Sequence, residues 1–64
     1  MHATLLELFQ LGGRKNYEFH YKMNDDKENI LTLDNENKII HVSIGEPENE
    51  GLPAIIKDFM EKLQ

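Results

Sequence analysis

Two periodicities run through this chain. From Asn16 to Met23, the apolar residues Tyr17, Phe19, Tyr21 and Met23 alternate with Glu18, His20 and Lys22. A period of two sustained over such a run predicts a half-buried β-strand. Near the C-terminus the spacing changes. Leu52, Ile55, Ile56, Phe59 and Leu63 stand at i, i+3, i+4, i+7 and i+11, with Lys57, Asp58, Glu61 and Lys62 on the opposite face. That is the stripe of an amphipathic helix lying on a surface. Pro53 suits its first turn, where a missing N–H costs nothing and a fixed φ is already helical.

The remaining elements follow from punctuation. Thr4-Leu5-Leu6-Glu7 reads as a capping box, and Gly12-Gly13 is expected to stop the helix it opens. Leu5, Leu6, Leu8, Phe9 and Leu11 make that helix apolar over more than one face. Asn24 to Lys27 is a turn cluster, Asn29 to Leu33 a second strand, and Asp34 to Asn37 a turn whose residues tolerate left-handed backbone. Lys38 to Ile44 forms a third strand, with Ile40, Val42 and Ile44 on one face and Ile39, His41 and Ser43 on the other. Gly45 to Gly51 is an acidic loop leading to the last helix.

Short turns favour antiparallel neighbours. The expectation is therefore a single α+β domain over residues 1–64, a two-layer sandwich of helix, three-stranded antiparallel meander and helix (αβββα). Tyr17, Phe19, Tyr21, Leu31, Leu33, Ile40, Val42 and Ile44 would face the helices. Glu18, His20, Lys22, Thr32 and His41 would face water.

Composition narrows the classes. A core of 64 residues supplies only ~3–5 kcal/mol net, so a homodimer would help it. With no cysteine, disulfides and thiolate metal sites are excluded. No secretory leader pattern is visible from Met1 to Leu11, and no apolar run approaches the ~20 residues of a membrane span. A soluble cytoplasmic protein is expected.

Charge is unevenly spread. The chain carries 12 Asp+Glu against 7 Lys+Arg, a net −5. Asp25 to Glu50 holds eight carboxylates and two lysines, which leaves +1 for the rest. Such a field argues against direct nucleic-acid binding and towards basic protein partners or plain solubility. In an up-down-up meander, the turn after strand one and the loop after strand three emerge at one end. Asp25, Asp26, Glu28, Glu46, Glu48 and Glu50 would gather there as a partner-binding surface.

Other constellations fall short of chemistry. In the meander, His20 and His41 occupy the two outer strands, ~10 Å apart, too far to share a zinc, and His2 lies on the N-terminal tail. Asp34-Asn35-Glu36-Asn37-Lys38 opens like a calcium loop but has Lys38 at a ligand position and lacks the glycine. His41 and Ser43 make no triad, and Gly12-Gly13-Arg14 follows a helix instead of preceding one. Basic and aromatic residues interleave from Arg14 to Lys22, but the aromatics alternate onto the core face. No catalytic residue, cofactor or metal site is expected.

The run Thr4-Leu5-Leu6-Glu7-Leu8-Phe9 before an aromatic strand, then Ile39 to Glu50 before Ile55-Ile56-Lys57-Asp58-Phe59, gives a local texture. In that texture, element order and acidic loops, the chain resembles the small prophage-encoded anti-CRISPR inhibitors. The resemblance implies a helix–meander–helix fold and acidic residues standing in for target DNA. Two functions are therefore in view. One is a non-enzymatic acidic protein-binding module, an inhibitor or DNA mimic acting on a basic protein surface. The other is a small structural or accessory protein, homodimeric through Leu5, Leu6 and Phe9 of its first helix, with acidic loops that only confer solubility.

Overall fold

A computed structural model describes residues 3–64. His2, and the N-terminal tail it was assigned to, lie outside them. The elements are α1 (Leu5–Arg14), β1 (Glu18–Met23), β2 (Ile30–Asp34), β3 (Ile39–Ile44) and α2 (Leu52–Leu63). Principal extents of 28 × 26 × 15 Å leave room for one helix layer on one sheet.

The class is α+β, but the sheet is no meander. Its order is β1-β3-β2, with β1 parallel to β3 and β2 antiparallel to it. β2 and β3 form the expected hairpin. β3 then inserts between β2 and β1, and the chain from Asn24 to Asn29 crosses over the end of β3. The reason lies in the strands themselves. β3 is the only one whose inner face is wholly buried, with Ile40, Val42 and Ile44 at 1% exposure or less, and it carries a half-buried Ile39 on the other face. The central position covers it from both sides, while β1, the most polar strand, takes an edge. Six residues are enough to span two strand spacings of roughly 10 Å.

α1 lies against β1 and α2 against β2, and the helices touch each other over β3. The core is Leu8, Leu11, Ile40, Val42, Ile44, Leu52, Ile56, Phe59 and Leu63, with Ala3 at its margin. Glu18, His20, Lys22, Thr32 and His41 are exposed on the open face, as the alternation requires. Tyr21 departs from expectation: although on the helix side, it is 49% exposed, on an edge strand where Phe9 meets its ring edge-on. On α2, Ile55 falls off the stripe and is exposed, while Met60 packs against the core. The helix is rotated slightly from the axis that the apolar spacing suggests.

The capping box forms as expected. Thr4 Oγ1 accepts from the Glu7 amide at 3.2 Å, and Glu7 Oε1 accepts from the Thr4 amide at 3.2 Å. Gly12-Gly13 does not end α1, which runs on to Arg14. The stop is a Schellman motif with Asn16 in the left-handed region (φ 65°): its amide donates to Gly13 O and that of Tyr17 to Gly12 O. Gly12 serves packing instead, since a Cβ there would collide with the Phe19 ring. At the hairpin turn, the left-handed residue is Lys38 (φ 57°), not one of the preceding Asp or Asn residues.

Candidate functional site at the acidic end

Parallel alignment of β1 and β3 sets Met23 beside Ile44, so the loops leaving both strands start at one end of the sheet. The expected juxtaposition thus survives the change of strand order, because both arrangements run up, down, up. What changes is its closeness. The crossover passes directly over Gly45, and a Cβ there would overlap the Asp26 carbonyl. Only glycine lets the two backbones approach so nearly.

Neutral amides lock this crossing. The Asn29 carboxamide oxygen accepts from the Gly45 amide at 3.0 Å and the Glu46 amide at 2.9 Å, while its nitrogen donates to Glu46 O at 2.9 Å. Asn24 Nδ2 donates to Ser43 Oγ at 2.7 Å and to Glu28 O at 3.2 Å, and the Asn24 amide donates to Ile44 O. Ser43 is therefore held in a structural bond to Asn24. Asn24, Asn29 and Gly45 were not singled out from sequence. Asparagines bracketing a six-residue turn, followed by a glycine after the third strand, were the available signal.

The six carboxylates divide into two groups. Asp25, Asp26, Glu28 and Glu46 surround the crossing. Glu48 and Glu50 stand further along, lining a shallow groove with Ala3, Thr4 and Leu5 at the start of α1. All but the half-buried Glu46 are exposed. None makes an ion pair among the described residues, where the salt bridge found is Glu18 to His20 at 3.6 Å. The carboxylates thus form a rim without ion-pair partners among the described residues, and the one side-chain bond to them runs from Asn49 Nδ2 to Glu46 Oε2 at 3.5 Å.

Elsewhere the structure revises the histidines. His20 and His41 are register partners on adjacent strands, their rings edge-to-face at 5.2 Å between centroids. The ~10 Å separation expected from a meander fails because β3 is central. Even so, no three His, Asp or Glu side chains among the described residues are placed to hold a metal ion. Of the first-helix residues, Leu6 is 64% exposed, Leu5 packs partly on the core, and Phe9 stacks edge-on against Phe19 and Tyr21. No helix among the described residues is long and apolar enough to cross a membrane.

Comparison of the chain with protein-family models, with characterised proteins and with solved structures gave no match.

Proposed function

We propose that this protein is a non-enzymatic binding module whose acidic end engages a basic protein surface, as an inhibitor or DNA mimic would. One observation carries the reading: the loops bearing Asp25, Asp26, Glu28, Glu46, Glu48 and Glu50 are positioned by asparagine amides and a glycine, leaving the carboxylates unpaired. Like charges held at one end repel, and a fold that asks of them only one long bond, from Asn49 Nδ2 to Glu46 Oε2 at 3.5 Å, keeps them available to a partner. Their field would steer encounter with a cationic surface and reject anionic ones.

The test begins with a pull-down from lysate at low and high salt, followed by kinetics on the captured protein. Replacing Asp25, Asp26, Glu46 and Glu48 by Asn or Gln should abolish binding, chiefly through the association rate, and flatten its salt dependence. Thermal stability should hold or rise as repulsion is relieved. Charge reversal at Asp34 and Glu36, at the far end, should matter much less to binding, although it loosens the hairpin turn that Asp34 holds. Unchanged binding by the quadruple variant, or its unfolding, would refute the proposal.

A further inference from the structure

Among the described residues the sheet has two free edges, and they differ. Beside β2, Ile30 is the exposed large apolar residue. Beside β1 there is a cluster: Tyr21 and Met23 at 49 and 57% exposure, with Phe9 against the Tyr21 ring and the Tyr21 hydroxyl on Met23 Sδ at 3.3 Å. β1 itself has six residues in unbroken register, without proline or bulge. Natural edges are commonly protected by such devices.

Backbone direction is settled by the inner ladder. The Glu18 amide donates to Lys38 O and the Asn24 amide to Ile44 O, so even-numbered residues of β1 turn their N–H and C=O groups to β3. The odd-numbered Phe19, Tyr21 and Met23 therefore turn theirs to the open edge. An antiparallel partner strand would bond to those.

The strand is complementary to itself. Set antiparallel to a copy about a two-fold axis at His20, it places Glu18 opposite Lys22 of the copy twice over, on the open face. On the helix face it places Phe19 opposite Tyr21 twice over. The Phe19–Tyr21 pairs are the ones that exchange backbone hydrogen bonds, as the free groups require. Sliding one copy by two residues in one direction puts Lys22 opposite His20 and strands Glu18 beside Asn24. A slide of four sets Lys22 against Lys22. The β2 edge offers no equivalent, since pairing about Thr32 opposes Ile30 to Asp34.

We infer that the partner of the β1 edge is a second copy of this chain, joined antiparallel with His20 on the two-fold axis. The two sheets become one of six strands, ordered β2-β3-β1-β1-β3-β2. His41, His20 and their two counterparts then form a row across the open face. The apolar cluster of each copy meets the other beneath the junction. This dimer differs from one formed by α1 alone, because backbone bonds fix its register, and it stands independently of the acidic-end proposal.

Sedimentation of the full chain over a wide concentration range should show a dimer. Glu18→Lys or Lys22→Glu should each raise its dissociation constant by about tenfold or more, since cross-strand like charges oppose pairing. The double exchange should restore it. All these side chains are exposed, and circular dichroism would verify that each variant folds. Because the chain has no cysteine, His20→Cys reports only contact between copies. It should form a disulfide-linked dimer on mild oxidation, as opposed residues in a non-bonded pair have Cβ atoms ~4.5–5.5 Å apart. Lys22→Cys should not, because its two copies would lie about 13 Å apart along the strand. A monomer at millimolar concentration overturns the inference. So does a dimer indifferent to both charge reversals, or one in which Lys22→Cys crosslinks and His20→Cys does not.

Discussion

The two ends of the sheet handle charge in opposite ways. At the hairpin end, polar groups spend their interactions on each other. Asp34 accepts from the Asn37 amide at 3.0 Å and from Asn37 Nδ2 at 2.9 Å, Tyr17 donates to Asn35 Oδ1 at 2.5 Å, and the Lys38 ammonium stands 4.7 Å from the Tyr17 ring centre. At the crossover end, structural bonds run through Asn24 and Asn29, and the carboxylates are left over. The difference teaches where a small fold can place a functional surface. A loop held by neutral amides can change its charges without losing its shape. A turn held by a carboxylate cannot.

The largest expected effect strikes both ends alike. Phe59, 5% exposed, lies in the helix lid that the whole sheet shares. Phe59→Ala should cost ~3–5 kcal/mol and unfold so small a domain. A well-dispersed NMR spectrum of that variant at room temperature would contradict the packing.

Next comes a substitution that separates the ends. Gly45→Ala forces the crossover off the end of β3, with an expected loss of about 1–3 kcal/mol from overpacking. Asn29→Ala, which removes three hydrogen bonds and strands their partners, should fall in a similar range of about 1–3 kcal/mol. In both, amide shifts should change from Asn24 to Asn29 and at Gly45 and Glu46, and stay fixed around Asn35. Equal disturbance at the two ends would mean that they are not independent.

The smallest effect is a titration at the hairpin end. The Asn37 side chain first, and its backbone amide second, hold the Asp34 carboxyl below the ordinary aspartate range. Lowering a folded-state pKa means that the native state binds its proton less readily than the unfolded chain. The resulting contribution is present above the unfolded value and disappears as pH falls through the folded one. NMR titration should find Asp34 protonating at lower pH than an unbonded aspartate. Asn37→Ala should move it upward, towards the unperturbed value. An unmoved midpoint would show that the bonds to Asn37 do not set it.

Much of this was legible in the chain itself. Alternation from Tyr17 to Met23 and from Lys38 to Ile44 identified the strands and sorted nearly every open-face residue correctly, because a period of two leaves only two faces. The box at Thr4 and Glu7 started α1, and the spacing from Leu52 to Leu63 marked α2 as the lid. The gathering of acidic loops at one end also followed, since it depends only on strand direction. Strand order did not follow. Local period says which way a side chain faces but nothing about lateral neighbours, and the turn from Asn24 to Asn29 is long enough for either a hairpin or a crossing. The burial demand of Ile39, Ile40, Val42 and Ile44 decided it by drawing β3 to the centre. From that one choice came the contact of His20 with His41, the need for glycine at position 45, and the open edge of β1. Helix rotation was likewise a tertiary matter: neighbouring side chains on a helix are about 100° apart, so a small turn of α2 on the sheet exchanges Ile55 for Met60. Gly12 looked like a stop because glycine commonly ends helices. Only packing against Phe19 revealed it as the space that lets helix and sheet meet.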